Sequence, residues 1–204
     1  MKKFLKLITV VGVALVALVA FSSNKAQAAQ AKKKVLVVYF SRTKGVYGGN
    51  LNKGNTARVA EFIQKETKAD IYEIVPKKSY PNDYEKTTEV AQQEQDENAR
   101  PAIKNKLPNV KKYDTVFIGA PVWWGEYPMV VRTFLDKEPG LNGKKLVPFT
   151  THEGSGLGNT SQQLKRQFSK AKVLKGFSVS GSDVKSDPKA VQKQVDRWLN
   201  GLNY

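Results

Sequence analysis

The sequence predicts an α/β fold built on one parallel sheet of five strands, and three observations point to it. Short apolar runs rich in β-branched and aromatic residues recur at Val35–Phe40, Ile71–Val75, Val116–Gly119, Leu146–Thr150 and Val173–Val179. Runs without polar alternation suit strands buried on both faces. Segments of helical period separate them, which is the alternation that a parallel sheet requires. From Val35 to Tyr204 no repeat, low-complexity block or linker divides the chain, and 40% hydrophobic with 25% charged residues is the make-up of one domain with a core.

The residues ahead of the first strand stand apart. Lys2, Lys3 and Lys6 precede an uncharged run from Leu7 to Asn24 whose apolar heart is Leu7–Phe21. That is the layout of a secretory signal, a positive n-region followed by a short apolar h-region. Two small-x-small sites follow, Ala26-Gln27-Ala28 and Ala29-Gln30-Ala31. Cleavage is expected after Ala28, so that residues 1–28 are a signal peptide and 29–204 an exported domain, extracellular or held at the cell envelope. The alternative is an uncleaved N-terminal anchor, because the run falls only slightly short of the roughly 20 residues of a spanning helix.

The elements then follow in order. After the first strand, Val59, Phe62 and Ile63 recur at helical spacing. Beyond the second strand, Asp83–Ala99 is polar and rich in Glu and Gln, and is expected to be an exposed helix or a partly irregular crossover. Val130, Val131 and Phe134 mark a helix after the third strand, and Leu164 with Phe168 another after the fourth. The last helix is the best marked: Asp187 is an N-cap, Pro188 suits the first helical position, and Val191, Val195, Trp198 and Leu199 line one face.

Composition narrows the chemistry. The absence of cysteine excludes disulfides, thiolate metal sites, iron–sulfur clusters and cysteine nucleophiles, so any redox chemistry must come from a bound cofactor. His152 is the only histidine, which argues against a metal site. Ser155 lies in Gly-Ser-Gly, but a nucleophile elbow would need glycine at Glu153 and Leu157. The formal net charge is +16; removing Lys2, Lys3, Lys6 and Lys25 with the leader leaves 30 Lys+Arg against 18 Asp+Glu, or +12. Such a surface is drawn to polyanions, and an anionic cell envelope is the expected one. No nucleic-acid partner is expected, because the pairs Lys77-Lys78, Lys111-Lys112 and Lys144-Lys145 are scattered, without interleaved aromatics on one predicted face.

Ligands of an open parallel sheet bind outside the carboxyl ends of its strands. After the first strand come Ser41-Arg42-Thr43, the stretch Lys44–Lys53, and Gly54-Asn55-Thr56 opening a helix. A helix start presents unpaired N–H groups and partial positive charge, which suits a phosphate, although the same residue types are ordinary caps and turns. After the third strand the loop reads Pro121-Val122-Trp123-Trp124-Gly125-Glu126. One tryptophan there is readily a core residue; two in sequence imply that at least one offers a face to a planar ligand. The loop after the fourth strand places Gly154, Gly156 and Gly158 around Ser155, where backbone groups can reach a ligand edge.

Taken together, Val37–Thr43 with Gly54-Asn55-Thr56 resembles the phosphate loop of the flavodoxin family, usually written Ser/Thr-x-Thr-Gly-x-Thr, and Pro121–Gly125 and Glu153–Gly156 follow in the family's order and spacing. The resemblance covers essentially all of Val35–Tyr204. It implies a three-layer, doubly wound sheet of order 2-1-3-4-5 with non-covalent FMN at the switch point. Ser41, Arg42, Thr43, Asn55 and Thr56 would surround the phosphate. In the next loop, with Pro121 and Val122, Trp123 or Trp124 would cover a ring face, and the peptide at Gly125 would turn toward the protonated N5 of reduced flavin. Glu153, Gly154, Ser155 and Gly156 would meet the pyrimidine edge. The sequence departs from the family in the ten-residue insertion 44–53, in its basic charge and in its leader. The implied function is electron transfer outside the cytoplasmic membrane, with a redox protein or a quinone as partner. An NAD(P)H- or quinol-dependent quinone reductase and a non-redox binding module on the same fold stay open. The net positive charge is expected to make the second reduction step less negative than in acidic carriers.

Overall fold

In the computed structural model, which describes residues 34–204, the apolar runs become strands of one sheet. They are β1 (Val35–Tyr39), β2 (Asp70–Glu73), β3 (Thr115–Pro121), β4 (Lys145–His152), β5 (Lys172–Val173) and β6 (Phe177–Ser180). The helices between them are α1 (Asn55–Thr67), α2 (Tyr84–Asp96), α3 (Met129–Lys137), α4 (Thr160–Gln167), α5 (Gly181–Ser186) and α6 (Pro188–Asn200). The leader, its cleavage site and the choice between signal and anchor lie outside the described residues. Among the described residues no helix is long and apolar enough to cross a membrane.

All strand pairs are parallel, and the order is β2-β1-β3-β4-β5, with β6 continuing beside β4. Side-chain alternation along each strand sends residues to two separate cores. Leu36 and Val38 of β1, with Phe40 just after it, join Val116, Ile118 and Leu146 beneath Val130, Phe134 and Leu164. Val35 and Val37 join Phe117, Val147 and Phe149 beneath Val59 and Ile63 of α1 and Val191, Val195 and Leu199 of α6. The sheet is thus the middle of three layers, and its apolar strands need no polar face. Asp187 caps α6 by accepting from the Ala190 N–H at 3.0 Å, and Trp198 stacks on Phe177 with centroids 5.1 Å apart.

One element differs from the expectation, and another takes one of its two expected forms. The fifth apolar run, Val173–Val179, is not one strand: β5 pairs with β4 as Leu146↔Val173, whereas β6 pairs as Phe149↔Phe177, so one extra residue lies between them. Pro148 explains the break. Leu146 accepts from the Leu174 N–H at 2.9 Å, so two residues on, Pro148 turns the same side toward the neighbour and has no N–H to donate. The polar stretch Asp83–Ala99 is a regular helix over Tyr84–Asp96, capped by Asp83 accepting from the Lys86 N–H at 2.9 Å. Its exit runs back beside the end of β2, where the Asn105 side chain bonds Val75 N–H and Glu73 C=O and closes that edge.

Candidate functional site

The loops after β1, β3 and β4 meet at the carboxyl edge of the sheet around a cavity of about 550 Å³. Its first wall is the start of α1. Gly54 is forced there by contact: a Cβ on it would lie 2.2 Å from Ser41 Oγ and 2.6 Å from Arg42 O. The Ser41 hydroxyl accepts from the Ala57 N–H at 3.0 Å. The two halves of the split loop are therefore contiguous in space, and residues 44–53 bulge out between them, closed by Leu51 N–H donating to Thr43 O at 2.8 Å. With Ala57 occupied, the Asn55 and Thr56 amides are helix-start donors without an intrahelical acceptor.

The Thr56 hydroxyl is buried and shares a 2.7 Å hydrogen bond with Thr151 Oγ1, joining α1 to the end of β4. Glu153 caps the short helix α5: its carboxylate accepts from Ser182 N–H at 3.0 Å and Ser182 Oγ at 2.8 Å. Gly181 sits so close that a Cβ would lie 2.6 Å from both Asn55 Nδ2 and Glu153 Oε1. Three loops are thus locked to one another around the helix start, and Ser41, Asn55, Thr56 and Glu153 all line the cavity.

Arg42 lines the same cavity, but its guanidinium turns to α2, donating to Pro81 O at 2.5 Å and Thr87 Oγ1 at 3.0 Å. Burial draws its pKa below the ordinary value. It lies over the Tyr80 ring, 5.5 Å from the centroid, and burial together with the Glu94 carboxylate pushes the Tyr80 phenol well up. Thr43 is not part of the cavity wall; it borders a separate groove beside Glu73–Pro76.

The loop after β3 separates its two tryptophans. Trp123 and Glu126 exchange N–H and C=O bonds at 3.0 Å each, closing a two-residue turn over Trp124 (φ 48°) and Gly125 (φ 80°). Positive φ at both central positions is the type I′ pattern, and tryptophan is an unusual residue to hold it. Trp123 points down, edge-on to Tyr80 at 5.0 Å and Phe40 at 5.5 Å. Trp124 points out, 51% exposed, with its indole N–H on Thr88 O of α2 at 3.0 Å. The Gly125 carbonyl accepts from Asn159 N–H at 2.8 Å, so the peptide expected to turn at Gly125 is bonded internally at both its carbonyl and its Glu126 N–H. Glu126 itself is held by Gln163 at 2.6 Å and Arg132 at 3.4 Å.

Gly154, Gly156 and Gly158 all have positive φ, and Gly158 meets Gly125 so closely that a Cβ would lie 2.3 Å from Gly125 O. Pro121, Val122, Trp123, Trp124, Gly125 and Ser155 line the cavity with the residues already named. Gly154 and Gly156 do not: the Gly154 N–H donates to His152 Nδ1 at 2.9 Å, and Gly156 O accepts from Thr150 Oγ1 at 2.9 Å.

Part of the wall was not expected from sequence. Tyr84, Thr88 and Ala91 of α2 face the cavity, together with Tyr47 of the insertion. The spacing of the α2 residues is helical, but small and polar residue types hide the stripe in a segment that reads as solvent-exposed. Tyr47 meets Tyr84 edge-on at 6.0 Å. Gly45 seats the insertion, since a Cβ there would lie 2.6 Å from Pro81 O and Thr87 Oγ1.

Comparison with known proteins follows the same outline. A sequence model of the family described as flavodoxin matches residues 34–199. A flavoprotein from Bacteroides eggerthii DSM 20697 is 33% identical, with 82% of this chain and 96% of that chain covered and a TM-score of 0.62. One from Bacteroides uniformis ATCC 8492 is 27% identical over 82% of this chain and 98% of that chain, also at a TM-score of 0.62. A flavoprotein from Lactobacillus acidophilus NCFM, solved in complex with FMN, shares the fold at 23% identity, with 77% of this chain and 99% of that chain covered and a TM-score of 0.58. No curated protein matches the chain. The chain belongs to the flavodoxin family.

Proposed function

We propose that this member of the flavodoxin family binds FMN non-covalently in the cavity at the carboxyl edge and transfers electrons outside the cytoplasmic membrane. The observation that carries the reading is the convergence of two unlike features on one cavity: a helix start with free amides, and an outward-facing tryptophan. The donor set fits the cofactor. Asn55 and Thr56 amides, with the positive end of α1 and the Ser41 hydroxyl beside them, suit a phosphate. No lysine lines the cavity and Arg42 is turned away, so the anion would be held by backbone dipoles rather than by a side-chain cation. Trp124 offers an apolar face, and Glu153 and Ser155 of the loop after β4 line the same cavity. A volume of about 550 Å³ lies within the roughly 300–1,000 Å³ of small-molecule sites.

When bound, FMN supplies reversible acceptance of one or two electrons. The chain's part is to hold it. Thr56–Thr151 fixes the helix start, Trp123 anchors the turn that presents Trp124, and the Gly125–Gly158 contact fixes the spacing of the two ring-side loops. Titrating the protein with FMN and with riboflavin tests this directly. FMN should bind far more tightly, with quenching of tryptophan fluorescence; equal affinities would remove the phosphate site from the reading.

Extension of the cavity along α2 to the exposed Tyr84 and Tyr47 favours a second reading, in which a small planar acceptor such as a quinone is reduced there with NAD(P)H or a quinol as donor. Steady-state turnover with those donors, set against electron transfer to a protein acceptor, separates the two. Action outside the membrane is supported by the leader; N-terminal sequencing of the chain from the culture medium and from the envelope fraction tests it, with Ala29 expected first.

A further inference from the structure

We infer that the amino edge of the sheet, opposite the cavity, is a docking face for an anionic phospholipid surface. Lysines that look scattered in sequence fall together because parallel strands all start at one edge. Lys34 precedes β1 and Lys68 lies just before β2. Lys111 and Lys112 form the turn ahead of β3, Lys144 and Lys145 open β4, and Lys170 and Lys172 open β5. Val35, Thr115, Lys145 and Lys172 are successive cross-strand partners, so these strand starts form a row. At roughly 4.8 Å between strands, the row from β2 to β5 is about 19 Å long.

Six of these eight lysines, Lys34, Lys68, Lys111, Lys112, Lys170 and Lys172, take no part in the ion pairs Lys53–Glu61, Arg100–Asp136 and Arg132–Glu126. Lys68 Nζ donates to Lys65 O at 2.8 Å and Lys144 Nζ to Tyr113 O at 2.5 Å, bonds to carbonyls that leave the net charge in place. Two acids at the strand starts, Asp114 accepting from the Lys34 N–H and Asp70 from the Tyr113 hydroxyl, keep their charge and offset two of the eight lysines. The last turns of α1, α3, α4 and α6 reach the same edge, and each adds a basic residue that offsets Glu66, Asp136, Glu138 and Asp196 there.

Two features select a lipid surface. Every cation at the strand starts is lysine, a mobile point charge suited to a broad anionic plane rather than to forked recognition of one phosphate. Where the leader is retained as an anchor, the apolar run Leu7–Phe21, upstream of Lys34 in sequence, joins this polybasic edge in the two-signal arrangement that gives durable membrane attachment; after cleavage behind Ala28 the lysine row acts alone. Docking by this edge leaves the cavity facing away from lipid. The inference requires neither FMN nor any particular redox partner.

The test is flotation of the full chain with phosphatidylcholine vesicles with and without phosphatidylglycerol, at low and physiological salt. Lys111→Glu/Lys112→Glu is compared with Lys77→Glu/Lys78→Glu, the equally exposed pair that follows β2 and so lies at the cavity edge. The first pair should lower partitioning onto anionic vesicles about 30-fold and the second less than about threefold, from roughly 1 kcal/mol per surface lysine. Lys170→Glu/Lys172→Glu serves as a second variant at the amino edge if the first unfolds. Equal losses from the two edges would mean that bulk charge alone acts. Undiminished binding to pure phosphatidylcholine in every variant would assign attachment to the apolar run. An edge-dependent difference seen with inorganic polyphosphate but not with vesicles would make this a soluble-polyanion site. Each of these results overturns the assignment.

Discussion

At the carboxyl ends of the strands the chain places glycines, hydroxyls and aromatic rings; at the amino ends of the same strands it places lysines. The carboxyl edge depends on contact. Gly54 against Ser41, Gly158 against Gly125 and Gly181 against Asn55 each leave no room for a single methyl group. The amino edge depends on summed charge rather than on any one close contact. One edge should therefore fail abruptly on single substitutions, whereas the other should fade gradually as charges are removed.

The largest expected effect is at Gly54. Gly54→Ala forces the backbone of Arg42 and the Ser41 hydroxyl apart, and overpacking of that kind should cost about 3 kcal/mol in denaturant unfolding. FMN affinity should fall by two orders of magnitude or more in the same protein, since about 2.7 kcal/mol lost from the phosphate loop is a factor of 100. A tolerated alanine would break the contrast between the edges at its strongest point.

The tryptophans sharpen it next. Trp123→Ala removes a ring packed edge-on to Phe40 and Tyr80 and should destabilise the fold by about 2 to 3 kcal/mol. Trp124→Ala removes an exposed ring held in positive φ, so stability should change by less than about 1 kcal/mol. FMN affinity should fall about tenfold instead, the worth of one aromatic face. If the two variants behave alike, the turn does not divide the roles.

Thr56→Ala leaves the buried Thr151 hydroxyl without its partner and should cost about 1 to 2 kcal/mol by thermal or denaturant unfolding. Thr56→Ser keeps the bond and should recover most of it. A serine variant no better than alanine would trace the loss to the methyl group.

The smallest effect concerns the redox potential, and here the fold alters what composition suggests. β3 runs seven residues from edge to edge, about 20 Å at roughly 3.3 Å per residue. Charges at the amino edge are thus more than two screening lengths of about 8 Å from the cavity at physiological salt. Lys111→Glu/Lys112→Glu should move the potential of bound FMN by no more than roughly 10 mV, which an anaerobic titration resolves. A larger shift would show that the net charge reaches across the domain and that the edges are not electrically separate.

What could be read in the sequence was local. The strands β1 to β4, the cap Asp187 with Pro188, and the apolar face of α6 are set by neighbours a few residues away, and their signals are correspondingly plain. The site loops were legible because a parallel sheet sends every strand's carboxyl end to one edge. Of the loop residues expected around the ligand, Ser41, Asn55, Thr56, Trp123 and Trp124 line the cavity, while Thr43, Gly154 and Gly156 do not. Those three serve as backbone donors or acceptors in their own loops, a role that residue type does not disclose.

By itself, then, the amino-acid sequence determined the three-layer architecture and the edge at which the cavity forms, because hydrophobic period and strand direction suffice for both. Tertiary structure alone decided which tryptophan faces outward, since that follows from a turn closed between Trp123 and Glu126. It alone set α2 against the cavity and split the last strand at Pro148, a residue on the neighbouring strand. It also gathered two of three scattered lysine pairs at one edge and sent Lys77-Lys78 to the other. Apart from the tryptophan turn, each of these depends on residues tens of positions apart in sequence, which only the folded sheet brings together.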